Sequence, residues 1–313
     1  MNLAFIIDAL VTVVGVTTPI LLAATGELVV EKSGVINLGV EGMMLIGAIT
    51  GFAITFNYGP DLGDWAPWVG VVCAALAAAI SSQLFGFLVL TLGSNQVATG
   101  LALTIFGIGL SSLIGAGYVG MTVPEFATPF PDWLAGDPVW RVLFGYSPLV
   151  YFALIAVLVV GWFLNRTRAG LVLRAVGEND ISAHSIGYSV LAIRYAAIAF
   201  GGAMAGVAGA YFSMVITPMW AEQMTAGRGW IALALVVFSG WRAGRLLVGA
   251  YFFGILMTLE LYAKASGFSF LPSQFWAAMP YIMAVVVLAV ISARGVAGSE
   301  APACLGRPFM PSN

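Results

Sequence analysis

Glu41 stands four residues after Asn37, with apolar sequence (GMMLIGA) directly behind it, so its carboxylate falls just inside a hydrophobic helix and shares a face with the Asn37 amide. Between Gly26 and Gly47 these two are joined by Glu27, Glu31 and Lys32, in a chain that is otherwise strongly apolar. Ionisable groups in such surroundings are costly and mark a functional position by default. As chemistry, a carboxylate and an amide on one face suit hydrogen bonding to a polar solute in a cavity. The simpler reading is that Glu41 is satisfied by a neighbouring helix or backbone and clamps the structure. A second polar cluster, Asn95, Gln96 and Thr99, opens the later apolar stretch GSNQVATGLALT. These three join Asn37 and Glu41 as cavity candidates, although Asn95 also suits a helix cap.

Other chemistries are poorly served. His184 is the single histidine, which excludes histidine-based metal clusters, and Cys73 and Cys304 make no disulfide or metal framework. No acid–base constellation converges, so neither an enzyme nor a cofactor is expected. Gly115 to Gly120, GAGYVG, matches the dinucleotide string GxGxxG but ends an apolar span instead of linking a strand to a helix. In GELVVEKS, Gly26 to Ser33, Glu31 stands where a phosphate-binding loop needs its second glycine. Any nucleotide that drives this chain is therefore bound elsewhere.

The elements that must position these residues are membrane helices. The 313 residues are 61% hydrophobic and only 8% charged, with a net charge of -2, which gives no footprint for nucleic acid. The mean hydropathy is +1.00. At about 20 apolar residues per crossing, spans fall near 5–25, 38–57, 67–92, 96–117, 148–164, 196–216, 229–241, 246–263 and 274–292. The reading is thus an all-α, polytopic bundle of about nine transmembrane helices, residues 1–313 forming a single domain in the lipid bilayer. The seventh span is short and bounded by Arg228 and Arg242, which points to a tilted or broken helix, or one fused with the eighth. No Lys or Arg precedes Lys32, so the first apolar run is read as a retained span and not as a signal peptide.

Lys32, Arg166, Arg168, Arg174, Arg194, Arg242, Arg245, Arg294 and Arg307 fall on one side of these spans, and Arg141, Arg228 and Lys264 on the other. The positive-inside bias puts the first side in the cytoplasm, the N-terminus outside and the C-terminus inside. The outer loop, about 118–147, is rich in proline and aromatics and reads as an ordered cap with Trp133 and Trp140 at headgroup level. The inner loop, about 165–194, is basic at both ends and holds a short helix, NDISAHSIG, which Asn179 or Asp180 would cap and Gly187 would end. Gly202, Ala205, Gly206 and Gly209 in the sixth span suit close helix packing more simply than a ligand. Glu260 and Lys264 are spaced as an i,i+4 pair.

The string GELVVEKSGVINLGVEGMMLIGA resembles the signature of permease subunits of ABC importers for nucleosides and simple sugars, a family that also includes ribose and branched-chain amino-acid permeases. The blocks GSNQVATGLALT, TRAGLVLRAVGEND, GRGWIALALVVFSGWR and APACLGRPF keep the family's order, and the likeness covers essentially the whole chain. Ribose-type members typically carry GIDLSVG-like sequence where this chain has GVINLGVEG, and usually an additional N-terminal span. The resemblance implies a half-channel in a bacterial inner (plasma) membrane. Its implied partners are a cytoplasmic ABC ATPase, a second permease that is commonly a different homologue, and an extracytoplasmic substrate-binding lipoprotein. It also implies that Glu178, Asn179, Asp180, His184 and Gly187 belong to the segment that docks on the ATPase, although the family often has a small residue where His184 stands. The expected function is nucleoside import by alternating access. The rival cargo is a pentose or hexose, and the rival mechanism is an ion-coupled transporter working alone.

Overall fold

A computed structural model describes residues 3–124, 126–137, 140–265, 272–293 and 301–309, and Arg294 lies outside them. The long helices are α1 (Leu3–Lys32), α2 (Val40–Leu62), α3 (Ala66–Gly86), α4 (Gln96–Gly115), α7 (Pro148–Arg166), α10 (Val190–Tyr211), α12 (Ala243–Ala265) and α13 (Ser273–Ala293). Short helices fill the connections: α5 (Asp132–Ala135) and α6 (Arg141–Phe144) between α4 and α7, α8 (Arg168–Glu178) and α9 (Asp180–Ser185) between α7 and α10, and α11 (Arg228–Phe238) before α12. Among the described residues there is no strand, only isolated bridges from Val119 to Trp220 and from Thr122 to Met219 that pin the connection after α4.

Among the described residues six helical stretches are long and apolar enough to cross a membrane: Phe5–Lys32, Val40–Thr91, Gln96–Tyr118, Pro148–Arg166, Val190–Ile216 and Ala243–Ala265. The second holds both α2 and α3, which meet at a turn over Gly63–Trp65. The expected seventh span is α11, whose 11 residues reach only about 16 Å at 1.5 Å per residue, about half a hydrocarbon core. It is a half-helix, and its two ends must find partners inside the protein.

Two helices form the centre. α1 is buried on every side from Thr17 to Glu31, and α10 from Met204 to Tyr211. α10 packs on α1, α2 and α3 at once, which its small residues permit. A Cβ at Gly209 would overlap the Met44 carbonyl of α2, and one at Gly206 the Ala74 carbonyl of α3. The glycines are therefore there for backbone contact. α1 differs from the sequence reading: it does not end near residue 25 but runs on to Lys32, with Glu27 and Glu31 buried in its last two turns.

Candidate functional site

The non-helical stretch from Ser33 to Gly39 joins α1 to α2 inside the protein, where each peptide group needs a partner. Gly34, at φ +93°, turns the chain back beside α1. The Ser33 carbonyl accepts from Arg194 Nε at 3.1 Å, and the Gly34 carbonyl accepts from the Gly306 N–H at 3.1 Å. The Ile36 N–H donates to Gln96 Oε1 at 2.8 Å, and the Asn37 N–H to Glu27 Oε1 at 3.3 Å. The Leu38 carbonyl accepts from the Thr104 hydroxyl at 2.9 Å, and the Gly39 N–H donates to Asn37 Oδ1 at 2.9 Å. Side chains or backbone of α1, α4, α10 and the C-terminal segment thus grip a loop of seven residues. Asn37 and Gln96 are brought together here, both buried.

Glu41 faces another way. It is 6% exposed, and its Oε1 accepts from the Thr225 hydroxyl at 2.6 Å and the Gly227 N–H at 2.7 Å. Its Oε2 accepts from the Gly229 N–H at 2.6 Å. The carboxylate therefore caps the N-terminus of the half-helix α11, where orphan N–H groups and the helix dipole both favour an anion. Beyond the other end of α11, Trp241 Nε1 donates to Glu31 Oε2 at 2.5 Å. Two glutamates separated by the loop thus anchor α11 near its two ends. Sequence reasoning missed Thr225, Gly227 and Trp241 because they lie some 184–210 residues from their partners.

Asn95 is exposed and accepts from the Ala98 N–H at 3.0 Å, so it caps α4, while Thr99 is half-buried with its hydroxyl 2.9 Å from that of Ser94. Asn37, Glu41, Asn95, Gln96 and Thr99 therefore do not form one cluster. A polar cavity of about 730 Å³ is lined by Lys32, Asn165, Arg174, Glu178, Trp241 and Arg242 among others, and an apolar one of about 560 Å³ lies between α7 and α10. None of the five lines either.

The residues of the connection 165–194 fold as a compact unit. Asn179 Oδ1 accepts from the Ser182 N–H at 2.9 Å and starts α9. Gly187, at φ +96°, ends it, with the Gly187 N–H bonded to the His184 carbonyl and the Tyr188 N–H to that of Ala183. Glu178 and His184 are exposed, whereas Asp180 is buried and paired with Arg194 at 3.1 Å. The segment 301–309 lies against this unit. The Cys304 N–H bonds the Gly177 carbonyl at 2.9 Å, and the Phe309 ring stands 5.5 Å from His184. Arg194 entered the sequence reading only as a boundary cation. α10 begins four residues earlier, at Val190, so Arg194 is a fully buried charge within an apolar helix, the very signal that should have singled it out. Among the described residues no three His, Cys, Asp or Glu side chains gather as metal ligands.

An all-helical bundle with several helices long and apolar enough to cross a membrane, an internal loop held from all sides and a capped helix in a cationic connection is the architecture of a multi-pass membrane protein. The comparisons agree. Residues 9–291 match the family described as the permease component of the branched-chain amino acid transport system, and the chain belongs to that family. A chain of Haloferax volcanii, provisionally named a glucose ABC transporter permease protein, is 42% identical over 84% of this chain and 80% of its own. The guanosine ABC transporter permease protein of Bacillus subtilis is 30% identical over 93% of each chain. The nucleoside ABC transporter permease protein of Lactococcus lactis is 28% identical over 90% of this chain and 91% of its own. No solved structure matches. The chain is thus a transport subunit and not itself an enzyme.

Proposed function

We propose that this chain is the membrane-spanning half of an ATP-driven importer of nucleosides, opening alternately to the two sides of a bacterial plasma membrane. The observation that carries the cargo is end-to-end similarity to two nucleoside permeases, one matching over 93% of both chains. The second reading, a simple sugar, has its own support in the 42% identity to the provisionally named glucose permease. Competition separates them: uptake of tritiated guanosine by cells carrying the whole transporter is blocked by excess unlabelled nucleoside and not by glucose. No guanosine uptake, with uptake of labelled glucose that excess unlabelled glucose blocks and nucleoside does not, establishes the sugar reading.

In this account the chain crosses the bilayer about nine times, with α11 and α13 completing the set and α11 crossing only half of it. The end that gathers Lys32, Arg174, Arg194 and Arg242 faces the cytoplasm, and the end with the Asp8–Arg141 contact at 3.6 Å faces out. α9 receives the ATPase. The support is the exposed surface made by Ile181 of α9 and by Ile186 and Tyr188 just after it, beside Glu178 and His184. A second permease, a different homologue, completes the pathway, and a binding lipoprotein loads it from outside. Asn37, Glu41 and Gln96 shape the wall of the pathway by holding its backbone, with Asn95 and Thr99 at its inner rim. Impermeant thiol reagents applied from each side check the orientation. A cysteine at Ser185 reacts only from the cytoplasm, and one at Trp133 only from outside.

A further inference from the structure

Arg194 sits where the short surface helix meets the internal loop, and its guanidinium is bonded to both. Nη2 donates to Asp180 Oδ2 at 3.1 Å, in the first turn of α9, and Nε donates to the Ser33 carbonyl at 3.1 Å, at the start of the loop. The side chain is 0% exposed. A planar fork held at two edges is a stiff link, and in a low-dielectric interior neither bond is exchanged cheaply for one to water. Displacement of α9 therefore pulls on Ser33 and, through the loop, on the peptides gripped by Gln96 and Glu27. The third nitrogen, Nη1, is buried without a partner, so the guanidinium has a donor in reserve for a second arrangement.

We propose that Arg194 is the positioning residue that carries movement of α9 into the loop Ser33–Gly39, exchanging partners as the permease changes the side to which it opens. This rests on the reading of α9 as the ATPase-docking helix. The loop is the right receiver because its peptides are tied to α1, α4 and α10, so a shift at Ser33 reaches all three. The C-terminal segment completes the junction, since the Gly306 N–H holds the Gly34 carbonyl next to the Arg194 contact.

The test uses the complete transporter in proteoliposomes, with tritiated guanosine and, separately, labelled glucose as probes. The readout is solute taken up per ATP hydrolysed. A photo-crosslinking amino acid at position Ile186, exposed at 73%, reports independently whether α9 touches the ATPase. With Arg194→Gln, the crosslink persists and uptake per ATP falls about tenfold, a typical size for a coupling between sites. Arg194→Lys, which keeps the charge without the fork, gives an intermediate ratio, a graded result that simple loss of fold does not produce. If Arg194→Gln does not assemble, Asp180→Asn, which loosens only the α9 side of the link, lowers the ratio in its place. A normal ratio with the crosslink intact, in whichever of these two variants assembles, overturns the role of Arg194 and leaves α9 as the docking helix. No crosslink in the otherwise unaltered chain overturns both.

Discussion

Glu41 accepts three short hydrogen bonds at the start of α11, and the donors it serves are buried or half-buried: the Thr225 hydroxyl and the N–H groups of Gly227 and Gly229. Glu41→Ala leaves them unpaired, and at the usual cost of losing charge-assisted bonds to buried donors stability falls by about 3 kcal/mol or more. Glu41→Gln keeps one acceptor oxygen and loses roughly half as much. Thermal unfolding of the detergent-solubilised chain checks both. The ordering matters more than the size: a residue whose work was only to touch solute would leave the unfolding temperature unchanged. Glu41 was legible as a buried charge because apolar sequence follows it directly. Its partners were not, because helix capping normally comes from the adjacent residues and here comes from a distant helix. Asn95 and Asn179 cap their own helices, and for that reason both could be read locally.

At the scale of elements, α10 approaches α2 and α3 backbone to backbone at its glycines. Gly209 faces the Met44 carbonyl so closely that any Cβ forces α2 and α10 apart. Gly209→Val therefore destabilises the bundle by roughly 3 kcal/mol or more, at the top of the range for overpacking, because a main chain cannot swing aside. Size-exclusion chromatography is expected to show aggregation or degradation of this variant, while Gly244→Val, where a Cβ meets open space, behaves as wild type. The small-residue stripe predicted this contact, since the spacing of Gly202, Gly206 and Gly209 places them along one flank. Hydropathy did less well with α1 and α11. It ended α1 near residue 25 because Glu27 and Glu31 look like a boundary, whereas bonds from Asn37 and Trp241 make them tolerable inside. It counted the seventh span as a crossing while marking it as short and bounded by Arg228 and Arg242, and α11 has only eleven helical residues there.

Across the whole molecule, the end of the bundle that holds Lys32 and Arg194 is one connected structure made from four distant parts of the chain: the end of α1 with its loop, α8 and α9, the start of α10, and residues 301–309. The last of these is tied by the Cys304 and Gly306 N–H groups to Gly177 and Gly34. Deleting residues 301–313 is expected to speed hydrogen exchange at 33–37 and 177–188 by about tenfold or more, with protection across α2 and α10 unchanged, as for a locally opened unit. Equal loss of protection throughout would show that the segment supports the entire fold. The sequence blocks at 26–48, 167–180 and 301–309 pointed to the family separately. Only the fold shows that they meet, which is why the junction was invisible in a linear reading and its arginine was read only as a boundary cation.

The central claim is that this junction serves an importer energised by ATP on a partner subunit, and energised uptake tests it most directly. The permease is reconstituted into proteoliposomes with its second permease, ATPase and binding protein, and tritiated guanosine is supplied on the side of the binding protein. Accumulation is predicted only with hydrolysable ATP on the ATPase side, unaffected by collapsing proton and sodium gradients. Accumulation by the permease alone under an ion gradient, with no response to ATP, would contradict it.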